Sequence, residues 1–144
     1  MKRFFGSHDP SADGFPVSRT DQEWRERLDP GQFNVLRKHG TERAGSSALN
    51  AEKRPGTFRC AGCDKPLFET GAKFESHTGW PSFTQSLQGA VATTEDRSLF
   101  MSRTEVHCAD CGGHLGHVFP DGPRPTGLRY CMNGVAMMFQ PEDA

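Results

Sequence analysis

A chain of 144 residues is long enough for one domain with a moderate core, yet only 34% of it is hydrophobic. Its 16 glycines and 10 prolines favour turns and short strands over long helices. Its net charge of −1 gives no electrostatic case for bulk nucleic-acid binding or for an anionic membrane surface.

The chain opens on Met1-Lys2-Arg3-Phe4-Phe5 and breaks at Gly6-Ser7-His8-Asp9-Pro10, without the apolar core of a secretory signal. No apolar run reaches transmembrane length, so a cytoplasmic chain is expected, with no membrane partner. Residues 1–17 carry no periodicity and read as a mobile tail, and 18–144 read as one metal-stabilised domain. Thr20 and Glu23 form a capping box that starts a short helix to about Leu28, with Trp24 and Leu28 on one face. Asp29-Pro30 supplies the cap and first position of a second helix, which carries Phe33 and Leu36 and stops at Gly40. Residues 41–55 are polar and are expected to run over the surface.

From Thr57 the pattern changes to short, turn-bounded stretches. Strands are expected at 57–60, 65–68, 90–94, 99–102, 104–108, 117–119 and 135–139, rich in β-branched and aromatic residues. The fold class is therefore mainly β, with short N-terminal helices.

Four of the five cysteines lie in two C-x-x-C pairs, Cys60/Cys63 and Cys108/Cys111. Four thiolates suit one tetrahedral zinc, and a closed four-sulfur set leaves no open position, so the zinc is expected to be structural, one per chain. Gly62 and Gly112-Gly113 allow the tight backbone that points amides at sulfur. A redox dithiol, a pair of disulfides, and His114 as a substitute ligand are the rival readings.

Cys131 is left over. In Arg129-Tyr130-Cys131-Met132-Asn133, Arg129 and Asn133 would share its face in a strand, one able to stabilise a thiolate and the other to donate a hydrogen bond. Upstream, His114 and His117 stand three apart in a glycine-rich stretch expected to turn, and imidazole suits acid–base work beside a thiol. A second metal on this His-x-x-His, with Asp121 as a third ligand, is the alternative. Gly79-Trp80-Pro81-Ser82-Phe83 puts two large aromatics around a proline, either as core or as the wall of a pocket for an apolar or sulfur-containing group.

Gly79-Trp80-Pro81-Ser82-Phe83, the stretch from Arg103 to Gly122 and Thr126-Gly127-Leu128-Arg129-Tyr130-Cys131-Met132-Asn133 together resemble the peptide-methionine (R)-S-oxide reductases, the B-type methionine sulfoxide reductases. The resemblance runs from about Thr20 to Phe139. It implies two antiparallel sheets with a four-cysteine structural zinc, and Cys131 as the nucleophile. It also implies that Trp80, His114, His117 and Asn133 shape the substrate site, that Asp121 and Arg129 support it, and that Phe83 and Phe119 join its aromatic surroundings. Many members carry a resolving cysteine just before Gly-Trp-Pro-Ser-Phe, where this chain has Thr78, and Met132-Asn133-Gly134 replaces their Ile-Asn-Ser.

The expected chemistry follows from that likeness. Cys131 attacks the sulfur of a methionine-R-sulfoxide in an oxidised protein or peptide, His117 protonates the departing oxygen, and the resulting sulfenic acid is recycled by thioredoxin, glutaredoxin or a small thiol. A zinc-stabilised binding module with an aromatic pocket is the competing reading, but it has no use for the thiol. A zinc hydrolase would need an open metal position.

Overall fold

The computed structural model describes residues 15–96 and 102–142. Both expected helices form: α1 (Asp21–Arg27) behind the Thr20/Glu23 capping box, and α2 (Pro30–Lys38) behind a second box of Asp29 and Gln32. The stop of α2 comes one residue earlier than expected. His39, not Gly40, takes the left-handed conformation, at φ 60°. Trp24, Leu28, Phe33, Val35 and Leu36 bury the inner faces of the two helices.

Nine strands follow among the described residues: β1 (Gly56–Cys60), β2 (Pro66–Glu69), β3 (Lys73–Phe74), β4 (Ser82–Phe83), β5 (Val91–Asp96), β6 (Arg103–Cys108), β7 (His114–Phe119), β8 (Arg129–Met132) and β9 (Met137–Pro141). They make two antiparallel sheets, one ordered β2-β1-β9 and the other β3-β4-β8-β7-β6-β5. Aromatic rings join them. Phe83 of the larger sheet stacks on Phe68 with centroids 4.3 Å apart and meets Phe58 edge-on at 5.0 Å. All three are fully buried, which makes this the centre of the core.

Several sequence expectations change here. The 99–102 strand falls mostly outside the described residues, as does the 1–17 segment up to residue 14; Val17, at its end, donates its N–H to the carbonyl of Asp110 at 2.8 Å. The strand expected at 135–139 begins only at Met137, because Gly134–Ala136 form a 3-10 turn. The glycine-rich stretch around His114 and His117 is strand, not turn.

Candidate functional site

Cys60 ends β1 and Cys108 ends β6, so each C-x-x-C pair is a knuckle at the end of a strand in a different sheet. The four sulfurs lie within 4.8 Å of one another, with Cys60–Cys111 at 3.8 Å and Cys63–Cys108 at 3.5 Å. Four thiolates bound at about 2.3 Å around one tetrahedral cation would be roughly 3.8 Å apart, so the cage fits a cation with little adjustment. The amide of Gly62 donates to the Cys60 sulfur, and Arg37 from α2 donates to the carbonyl of Cys111 at 2.9 Å. Without a cation the sulfurs cannot all ionise. Hydrogen bonding with Cys108 is the main reason the Cys60 and Cys111 thiols are pushed up, and the bond from Cys111 pulls Cys108 down.

About the leftover cysteine, pairing register decides what meets what. Cys131 on β8 lies opposite Ser82 on β4 and opposite His117 on β7. Directly opposed residues project to the same face, so thiol and imidazole share one surface of the sheet. Arg129 shares it two residues along β8, opposite Phe119, and its guanidinium lies 4.4 Å over the Phe119 ring. Asp121 accepts two hydrogen bonds from Arg129, at 2.9 and 3.1 Å, and this carboxylate is the main reason the guanidinium is pushed up; Cys131 adds a smaller push.

His114 should point away from His117 in a regular strand, since the two differ by an odd number of positions. A bulge prevents this. Glu105 pairs with His117, but His107 pairs with His114, so the register slips by one across Leu115-Gly116. The slip turns His114 onto the same face as His117, with ring centroids 5.5 Å apart. Gly116 lies within that slip, and a Cβ there would come within 2.1 Å of the Cys131 carbonyl oxygen.

Thr41, Trp80, Arg103, Gly116, His117, Phe119, Cys131 and Asn133 line a cleft of about 120 Å³. Whole small molecules occupy clefts of about 300–1,000 Å³, so this one suits the tip of a single side chain. The structure thus brings Cys131, His117, Trp80, Phe119 and Asn133 together, with Arg129 and its partner Asp121 beside Phe119 and His114 beside His117. Phe83 is the exception. It faces the opposite side of β4 from Ser82, is fully buried against Phe58 and Phe68, and has no access to the cleft.

Three supports were not read from the sequence. Glu42 accepts the Trp80 indole N–H on its carbonyl (3.0 Å), gives its own N–H to the Asn133 side chain (2.9 Å), and caps the amides of Gly134 and Val135 with its carboxylate. One residue of the 41–55 segment therefore fixes two walls of the cleft. Gly79, at φ 92°, lets the Trp80 loop run against Ala44 and Gly45, where a Cβ would come within 2.8 Å of Ala44. Glu105 accepts hydrogen bonds on one carboxylate oxygen from Nδ1 of both His114 (2.5 Å) and His39 (2.6 Å). Burial pushes the Glu105 carboxyl up, but the bonds from His114 and His39 outweigh it and hold the group well below the usual carboxylate range. Ionised Glu105 thereby fixes the proton of His114 on Nδ1. Thr78, just before the Gly79-Trp80 turn, places its Oγ1 3.9 Å from the Cys131 sulfur.

A family model described as the SelR domain matches residues 28–141. The chain is 52% identical over 126 residues to the peptide methionine sulfoxide reductase MsrB of Agrobacterium fabrum, covering 87% of this chain and 93% of that protein. It is 53% identical over 128 residues to the protein of the same name from Pseudomonas putida, covering 88% and 96%. The Leifsonia xyli protein of that name is 52% identical over 131 residues, covering 90% and 94%.

Proposed function

The chain belongs to the SelR-domain family of peptide methionine sulfoxide reductases, and from that premise we propose how its own residues carry the reaction. It is an oxidoreductase that returns methionine-R-sulfoxide in proteins to methionine and so repairs oxidative damage. The observation that carries the residue assignment is the pairing of Cys131 with His117 across β8 and β7, both lining the same cleft as Trp80.

Trp80 and Phe119 hold the methyl and methylene groups beside the sulfoxide, and the cleft orients its sulfur toward Cys131. The Cys131 sulfur attacks that sulfur. His117, backed by His114, gives a proton to the oxygen as the S–O bond breaks. The released oxygen, as water, then attacks the Cys131 sulfur and gives up a proton as the S–S bond breaks, its electron pair returning to the methionine sulfur, so methionine leaves and Cys131 becomes a sulfenic acid. A thiol then condenses with the sulfenic acid, releasing water, and a second thiol breaks the mixed disulfide and restores Cys131. Thioredoxin, glutaredoxin or a small cellular thiol fits that role, and a reducing compartment such as the cytoplasm would supply it. Among the described residues no helix is long and apolar enough to cross a membrane. Zinc is the cation that suits the four cysteines, and it supplies folding free energy, not chemistry.

The deciding assay offers both epimers of a methionine sulfoxide peptide with dithiothreitol. Turnover of the R epimer alone is expected, and equal rates or an S preference would overturn the reading.

The Thr78–Cys131 geometry adds a prediction about recycling. The five cysteines divide into four cage ligands and Cys131, so stoichiometric substrate without thiol should leave a trappable sulfenic acid and no internal bridge. Thr78→Cys should change that. The two side-chain heads stand 3.9 Å apart, and the remaining approach to an S–S bond of about 2.05 Å is within reach of a rotamer change. Mass spectrometry of the variant after one turnover should find a Cys131 disulfide to position 78. A bridge from Cys131 to a cage cysteine in the unsubstituted chain would refute the division of labour.

A further inference from the structure

We propose that His39, Glu105 and His114 form a second metal site, suited to a late first-row divalent cation such as zinc, whose occupation slows the reductase. The second half rests on the reading of the Cys131 cleft as the active site; the first half does not.

Three separate elements supply the ligands: the left-handed residue closing α2, the middle of β6 and the start of β7. Their donor atoms lie within 4.8 Å of one another. The donor set of two imidazoles and one carboxylate favours zinc, copper, nickel or iron over magnesium or calcium, which prefer oxygen alone. Both histidines now aim Nδ1–H at one oxygen of Glu105, at 2.5 and 2.6 Å. A cation takes the place of those two protons once each imidazole carries its proton on Nε2, a tautomer change that needs no net loss of protons.

Metal–nitrogen and metal–oxygen bonds of about 2.0–2.2 Å hold ligand atoms roughly 3.3 Å apart, so the cluster must open by several tenths of an ångström. His39 is the ligand able to move, because its side chain is 60% exposed at the end of its helix. That exposed side is also the entry path, while Glu105 and His114 are buried and already placed. His107 approaches the other Glu105 oxygen at 3.6 Å, which puts a third imidazole beside the cluster.

The link to turnover is His114. Its ring packs 5.5 Å from that of His117, which lies opposite Cys131. A cation on Nδ1 moves the His114 proton to the other nitrogen and locks the ring against His117, so reduction should slow.

The test separates the two halves. Zinc-loaded Cys131→Ser protein, in which the nucleophile cannot bind metal through sulfur, is titrated with cobalt(II) and followed by absorption. One further equivalent is expected, with the weak bands of nitrogen–oxygen ligation and no sulfur charge transfer. His39→Asn keeps a residue that tolerates the left-handed conformation and should weaken this binding by at least about tenfold with unchanged melting. Glu105→Gln should weaken it as well. In parallel, single-turnover reduction is measured on the unsubstituted chain without thiol, which would chelate metal. Added zinc should slow it, and His39→Asn should need at least about tenfold more zinc for the same effect. No saturable equivalent, or equal affinity in His39→Asn, overturns the site. Binding that His39→Asn abolishes, with reduction unaffected by saturating metal, establishes the site and refutes its link to turnover through His114.

Discussion

Cys131→Ser is expected to lower methionine-R-sulfoxide reduction by at least about a thousandfold while leaving metal content and melting temperature unchanged. The substitution exchanges sulfur for oxygen at one half-buried position of β8, with the backbone pairing to Ser82 and His117 intact. The cleft, its Trp80 wall and the Asn133–Glu42 anchor do not depend on the sulfur. A serine hydroxyl stays protonated near neutral pH and cannot accept the oxygen as a sulfenic acid, so neither half of the cycle has a route. Single-turnover assays on the purified variant, with metal analysis and a thermal melt on the same sample, decide the matter. Residual reduction above about one part in a thousand would move the chemistry to another group. A variant that lost its metal or melted early would show that Cys131 also supports the fold.

Much of this arrangement was legible because the signals were local. The capping box at Thr20 and Glu23, the proline opening α2 and the two C-x-x-C pairs each depend on residues a few positions apart, and each formed where the spacing placed it. The misses share a different cause. Ser82, not Phe83, shares the face of Cys131, and this follows from the β4–β8 register, which no short stretch of sequence encodes. The stretch of His114 and His117 is strand where a turn was expected, and the two rings meet as expected only because the β6–β7 ladder slips at Leu115-Gly116, although the glycine at that point was a visible hint of a close approach or a bulge. Glu42 looked like one polar residue in a surface segment, and its partners Trp80, Asn133 and Gly134 are far away in the chain. His39 closes α2, and its partner, Glu105, is 66 residues distant.

Removing the cage metal should unfold the protein rather than merely inactivate it. The cage joins strand ends from both sheets, since Cys60 leaves β1 of the smaller sheet and Cys108 leaves β6 of the larger. The helices depend on it too: Arg37 of α2 bonds the Cys111 carbonyl and lies 4.6 Å over Trp24 of α1, while Arg27 of α1 bonds the Gly62 carbonyl. Magnitudes favour unfolding over local loosening. A structural four-ligand zinc contributes roughly 10–16 kcal/mol in small zinc domains, against a net folding stability of about 5–15 kcal/mol for a typical protein. What remains without the cation is a buried cluster of thiols, of which Cys60 and Cys111 are pushed up by hydrogen bonding with Cys108, so the sulfurs no longer act as one cross-link. Cys108→Ser, or prolonged treatment of the unsubstituted chain with a strong chelator, should therefore abolish the near-ultraviolet signal of buried Trp24 and the cooperative melt. Activity should disappear with the fold, unlike the clean loss in Cys131→Ser, and restoring zinc should recover both in the chelated chain but not in Cys108→Ser. A metal-free protein that still melts cooperatively near the temperature of the loaded one would mean that the aromatic core of Phe58, Phe68 and Phe83 suffices to hold the two sheets together.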